Sequence, residues 1–117
     1  MMPIEQATIS PMDRGFLFGD GVYEVMARVD GRIRAKSLHQ ARLRSSLDAI
    51  GLPVSVDEVF ADVDQLTEKA GLLDAKIYIQ VTRGAASARD HAFPSKISPT
   101  VFLTISEFAA VSEKPSI

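Results

Sequence analysis

Three stretches of this chain carry residues whose types and spacing could do chemistry. In DRGFLFGDGVYE, Asp13 to Glu24, glycines at 15, 19 and 21 permit backbone bends that a side chain would obstruct, and Tyr23 leads the run that follows. A phenol held there can donate a hydrogen bond to a carboxylate while its ring packs on apolar neighbours. In HQARLRSS, His39 to Ser46, Arg42 has His39 and Ser46 within a helical turn, and its planar donor fork suits a phosphate. In VTRGAASARDHAFP, Val81 to Pro94, Arg89 and His91 stand two apart, so an extended backbone turns both to one side, where two donors can converge on one carboxylate. Taken singly, each stretch favours a plain structural role. These roles are a glycine turn before a half-buried Tyr, an Arg whose stem crosses apolar surface, and a solvated Arg and His on a loop. Lys36 and Lys76 lack the apolar pocket or basic neighbours that would make either a Schiff-base nucleophile, and read as surface lysines.

The elements that must position these groups follow from periodicity. From Gly21 to Arg34 an alternating run meets Asp30-Gly31 and resumes, which predicts a hairpin with a tight turn. The alternation sets Tyr23, Val25, Ala27 and Val29 on one face. Ser37 to Ile50 reads as a helix with Leu43, Leu47 and Ile50 on one stripe, His39 on the same face, Arg42 on its flank, and Gly51 as the stop. The hairpin and this helix are expected to pack through Val25, Leu43 and Leu47, bringing Tyr23 and Arg42 to one concave surface. His39 is expected to be a supporting helix residue, bonded within the helix terminus. A second helix should open at Ser55, where Glu58 three residues on permits a capping box, and should end at Gly71 after Val59, Val63, Leu66 and Ala70.

Two further strands are predicted, Ala75 to Arg83 and Thr100 to Phe108, both rich in β-branched and aromatic residues. The loop between them is long enough to be functional or mobile. A hairpin, two helices and two strands in that order predict an α+β fold, a mostly antiparallel sheet with two helices packed on it.

Composition bounds the partners. At 117 residues the chain holds one domain, and 46% hydrophobic with 24% charged residues is ordinary globular usage. A net charge of −2, with both signs interspersed, argues against nucleic acid or an anionic membrane as partner. No Cys and two unpaired His argue against disulfides and zinc. No signal peptide or membrane span is apparent, which makes the cytoplasm the expected location.

Together and in this order, the three stretches resemble the class IV, or fold-type IV, pyridoxal-phosphate-dependent aminotransferases. DRGFLFGDGVYEV is similar to that family's early signature, HQARL to its helix bearing a phosphate-binding arginine, and YIQVTRG followed by ARDHAFP to its D-amino-acid aminotransferase branch. The resemblance runs from about Asp13 to Pro99. It implies that Arg42 contacts the phosphate of pyridoxal 5′-phosphate and that Tyr23, Arg89 and His91 hold the substrate α-carboxylate. It also implies a homodimer, with Arg and His of the trap reaching the opposite subunit's site, and amino transfer between a D-amino acid such as D-alanine and a 2-oxo acid.

Two departures from the family pattern shape the expectations. Residues 1–110 correspond to the family's N-terminal domain without its first strand. Residues 111–117, VSEKPSI, resemble the start of the interdomain linker. The domain bearing the family's Schiff-base lysine is then absent, and Lys114 does not match that lysine, so the 117 residues alone are expected to be inactive. Aminodeoxychorismate lyase and branched-chain aminotransferase share the DRGFLFGDG-type segment and are the enzyme alternatives. A noncatalytic interaction module on the same fold is the alternative outside enzymology.

Overall fold

A computed structural model describes residues 1–85 and 98–107. After a short 3-10 turn at Ile4–Gln6 come helix α1 (Arg14–Phe18), strands β1 (Gly21–Val29) and β2 (Arg32–Ile33), helices α2 (Lys36–Ala49) and α3 (Val56–Ala70), and strands β3 (Ala75–Thr82) and β4 (Thr100–Glu107). The strands form one antiparallel sheet in the order β2-β1-β3-β4. The α+β architecture is the one predicted.

Local chemistry sets the boundaries. Asp30 and Gly31 both adopt positive φ, 52° and 77°, which matches the twist of a two-residue hairpin loop and pairs Val29 with Arg32. Ser55 Oγ accepts the Glu58 backbone N–H at 3.2 Å and opens α3, while Gly71 at φ 67° closes it. The segment Arg14–Phe18 is a helical turn rather than a chain of glycine bends. Asp13 caps it by accepting the Gly15 N–H, and left-handed Gly19 ends it.

Every second residue of β3 (Ala75, Ile77, Ile79 and Val81) is fully buried. Ile77, Ile79 and Val81 meet Leu43 and Leu47 of α2 and Val59, Phe60 and Val63 of α3 in one cluster, with α2 against β1 and α3 against β4. Residues opposite one another in the register share a face, so Val22, Glu24 and Met26 join Val81, Ile79 and Ile77 beneath the helices. Val25 therefore does not pack on α2; it is exposed on the other face, and Met26 takes its expected place beside Leu43 and Leu47. The sheet face away from the helices carries Tyr23, Val25, Tyr78, Gln80 and Phe102.

Gly21 lies where β1 enters the sheet. A Cβ there would stand 2.5 Å from the Val81 carbonyl oxygen, a backbone atom that cannot swing aside. Gly21→Ala should lower stability by about 1–3 kcal/mol through this overpacking. Urea denaturation of the variant beside the wild type measures it, and an unchanged midpoint would contradict the close approach.

Candidate functional site

The helix-facing row of β1 is interrupted by a carboxylate. Glu24 lies between Val22 and Met26 and is 4% exposed. Burying an ionised carboxylate costs several kcal/mol unless charged donors meet it. Two residues of α2 do so. Arg42 donates from Nε to Oε2 and from Nη2 to Oε1, both at 2.8 Å, and His39 Nδ1 lies 2.7 Å from Oε1. A carboxylate only accepts, so Nδ1 carries the proton. His39 and Arg42 are three residues apart, which sets them on the same flank of α2 facing the strand. His39 is thus tied across to β1, not bonded only within its own helix terminus.

The Arg42 hydrogen bonds, then burial, then the His39 hydrogen bond set the Glu24 acidity; burial opposes the two donors, and the net effect holds its pKa below the usual 4.5. The hydrogen bonds from Glu24 in turn raise the Arg42 pKa. Although bonded to a buried group, the Arg42 side chain is 58% exposed, and among the described residues its Nη1 has no partner.

Tyr23, the residue before Glu24, points to the open face. The residue is 64% exposed and its ring stacks on Tyr78 with centroids 5.9 Å apart and planes at 21°. Its hydroxyl has no hydrogen-bond partner among the described residues, whereas Tyr78 donates to Gln80 Oε1 at 3.0 Å. Tyr23 and Arg42 consequently lie on opposite sides of β1, not at one concave surface as expected. Tyr23 is, however, adjacent in β1 to Glu24, the residue that holds Arg42, with Cα atoms about 3.8 Å apart. Arg89 and His91, and Lys114, fall outside the described residues.

Glu24 was not among the residues singled out by sequence. The available signal was a Glu in the alternating row that also holds Val22 and Met26, but the opposite row, all apolar or aromatic, made the more convincing core face.

A second ionic cluster anchors the glycine-rich segment. Buried Asp13 accepts short hydrogen bonds from the hydroxyls of Thr82 and Thr100, both 2.6 Å. Asp20 accepts Arg14 Nε at 2.8 Å and Arg83 Nε at 2.9 Å, and Arg83 Nη2 also donates to the Ile50 carbonyl at 2.7 Å. Burial raises the Asp20 pKa, but the two guanidinium groups together outweigh it and hold the carboxyl below the usual 3.8. These charges fasten α1 and the start of β1 to the end of β3. Beside them Ile9, Asp13, Gly15, Phe16, Gln80, Thr82, Thr100 and Phe102 line an open depression of about 420 Å³ on the sheet face away from α2 and α3.

Residues 21–117 match the amino-transferase class IV family. The chain belongs to that family. This class IV chain is 36% identical over 113 residues to a D-alanine aminotransferase of Staphylococcus epidermidis, covering 95% of the chain and 39% of that relative. It superposes on the 4-amino-4-deoxychorismate lyase of Pseudomonas aeruginosa with a TM-score of 0.71 and 33% identity, over 86% of the chain and 36% of the lyase. On the Escherichia coli branched-chain amino acid aminotransferase the TM-score is 0.83 at 21% identity, over 95% and 38%, a likeness of fold. The class IV chain thus spans less than two-fifths of the length of these proteins. Among the described residues no helix is long and apolar enough to cross a membrane, and no cluster of metal-ligating side chains occurs.

Asp20 and Glu24 both have depressed folded-state pKa values, so each contributes stability that is present above its unfolded value and lost as pH falls through the folded one. The melting temperature should fall as pH drops below about 4.5. Asp20→Asn and Glu24→Gln should each flatten part of that slope, as read by thermal melts from pH 6 to about pH 2. Slopes identical to the wild type would show that neither carboxylate is held ionised by its partners.

Proposed function

We propose that this chain supplies the cofactor-phosphate and substrate-carboxylate half of a pyridoxal-phosphate-dependent D-amino-acid aminotransferase, acting on a D-amino acid such as D-alanine and a 2-oxo acid. The observation that carries the reading is the Arg42 guanidinium, fixed at its inner edge by Glu24 and open at its outer edge, on the family's phosphate-arginine motif. The donor set fits the cofactor. Arg42 offers a cationic fork to a phosphate, and Tyr23, with its phenol unpartnered among the described residues, offers a neutral donor for a carboxylate. When bound, pyridoxal phosphate supplies the electron sink that amino transfer requires.

The chain's own work is binding and orientation. Arg42 takes the phosphate and fixes one end of the cofactor. Tyr23, with Arg89 and His91, holds the substrate α-carboxylate, and fixing that group sets which side of the α-carbon faces the cofactor, so one enantiomer is selected. In this reading the protein is a cytoplasmic homodimer in which Arg89 and His91 serve the opposite subunit's site. The 36% identity to a D-alanine aminotransferase supports the D-amino-acid assignment. The second reading, an aminodeoxychorismate lyase, is favoured by the 33% identical Pseudomonas structure.

In the full gene product, Arg42→Ala should weaken pyridoxal phosphate binding by about 30–150-fold, the loss of charged hydrogen bonds worth about 2–3 kcal/mol. Arg89→Ala should raise the KM for D-alanine and leave cofactor affinity nearly unchanged. Equal effects of both changes on cofactor binding would sink this division of labour. Production of the chorismate-derived aromatic product, with no turnover of D-alanine, would transfer the assignment to the lyase.

The 117 residues alone should not transfer amino groups. Lys36 is paired with Asp64 at 3.4 Å and Lys76 is exposed, so neither has the environment of a Schiff-base lysine. Incubation with pyridoxal phosphate, borohydride reduction and peptide mapping should give no stoichiometric label on a single lysine. Such a label accompanied by D-alanine turnover would refute the expectation.

A further inference from the structure

A cation meant for a phosphate gains nothing from charge alone if a carboxylate already neutralises it. The Glu24–Arg42 pair does that, since both carboxylate oxygens are occupied by the guanidinium. The arrangement of donors gives the carboxylate a different role. Glu24 takes Nε and Nη2, the inner edge of the fork, and among the described residues Nη1 is left without a partner on a side chain that is 58% exposed. An exposed arginine ordinarily samples many rotamers and gives up about 2 kcal/mol of that freedom when it binds. Here the two hydrogen bonds to Glu24 already restrict that freedom. The anchor is 4% exposed and lies in β1 opposite Ile79 of β3, and His39 Nδ1 holds its Oε1 from a second direction.

We infer that Glu24 is the positioning residue of the phosphate site: its buried carboxylate, braced by His39, locks the Arg42 guanidinium so that the outer Nη1 edge is presented to a phosphate ester. The inference rests on the reading of Arg42 as the phosphate ligand. It assigns Glu24 no contact with the phosphate, from which its charge would only repel.

This makes the sign of a substitution decisive. If Glu24 were an adverse charge beside the anion, Glu24→Gln would tighten phosphate binding. If it positions Arg42, the same change weakens binding despite removing a negative charge, because the amide offers one acceptor where the carboxylate offered two. The experiment uses the 117-residue chain and the pair pyridoxine 5′-phosphate and pyridoxine, which differ by the phosphate and carry no aldehyde to react with lysines. Affinities come from chemical-shift titration, and the arginine Nε–H resonances are recorded without ligand.

In the wild type, Arg42 should show a protected, downfield Nε–H signal and a preference for the phosphorylated probe that Arg42→Ala abolishes. Glu24→Gln should lose the signal and reduce the preference by about tenfold or more. Glu24→Asp, which keeps the charge but shortens the reach, should do the same. Retained or increased preference in Glu24→Gln, with Arg42→Ala still abolishing it, overturns the inference and leaves the Arg42 reading standing. A preference that survives Arg42→Ala, or no preference in the wild type, removes both. The wild-type Nε–H signal is independent of how any variant folds, and its absence alone overturns the lock.

Discussion

An ionised carboxylate under a helix layer constrains everything around it. Glu24 occupies the middle of a row that otherwise holds Val22 and Met26, and α2 can lie on β1 only if it brings compensating donors to that point. His39 and Arg42 provide them from adjacent turns, one with a ring nitrogen and the other with a planar fork that fits both carboxylate oxygens. Helix docking, the depressed acidity of Glu24 and the fixed attitude of Arg42 are therefore aspects of one interaction. Sliding α2 along β1 would separate the donors from the acceptor and leave a buried charge unpaired, an outcome costing about 3–5 kcal/mol. A polar contact of this kind fixes register more sharply than the apolar contacts of Leu43 and Leu47, which tolerate small shifts.

The Asp13 and Asp20 cluster does for the sheet's entrance what Glu24 does for the helix layer. Asp13 joins α1 to Thr82 at the end of β3 and Thr100 at the start of β4, two residues separated in sequence by the long connection. Asp20 draws Arg14 and Arg83 together, and Arg83 extends the link to the end of α2 through the Ile50 carbonyl. The acidic and basic residues of DRGFLFGD are thus consumed in fastening the segment that precedes Tyr23. This leaves Tyr23 and the outer edge of Arg42 as the polar groups of the proposed site that remain open among the described residues.

The sequence by itself determined the elements whose signals are local. The Asp30-Gly31 turn, the Ser55 cap, the glycine stop at Gly71 and the alternation of β3 each depend on residues a few positions apart, and each is where those residues demand it. The order of elements and the family motifs were legible for the same reason. The phase of β1 was not, because both its rows contain apolar side chains. Tyr23, Val25, Ala27 and Val29 make the more uniform row, yet the row with Glu24 is the buried one. That choice was decided by pairing with Ile77, Ile79 and Val81, whose own burial fixes which side of the sheet receives the helices, and by donors 15 and 18 residues away that make a buried glutamate tolerable. Periodicity reports that a strand has two faces; only its tertiary neighbours can supply the charges that determine which face a carboxylate can occupy.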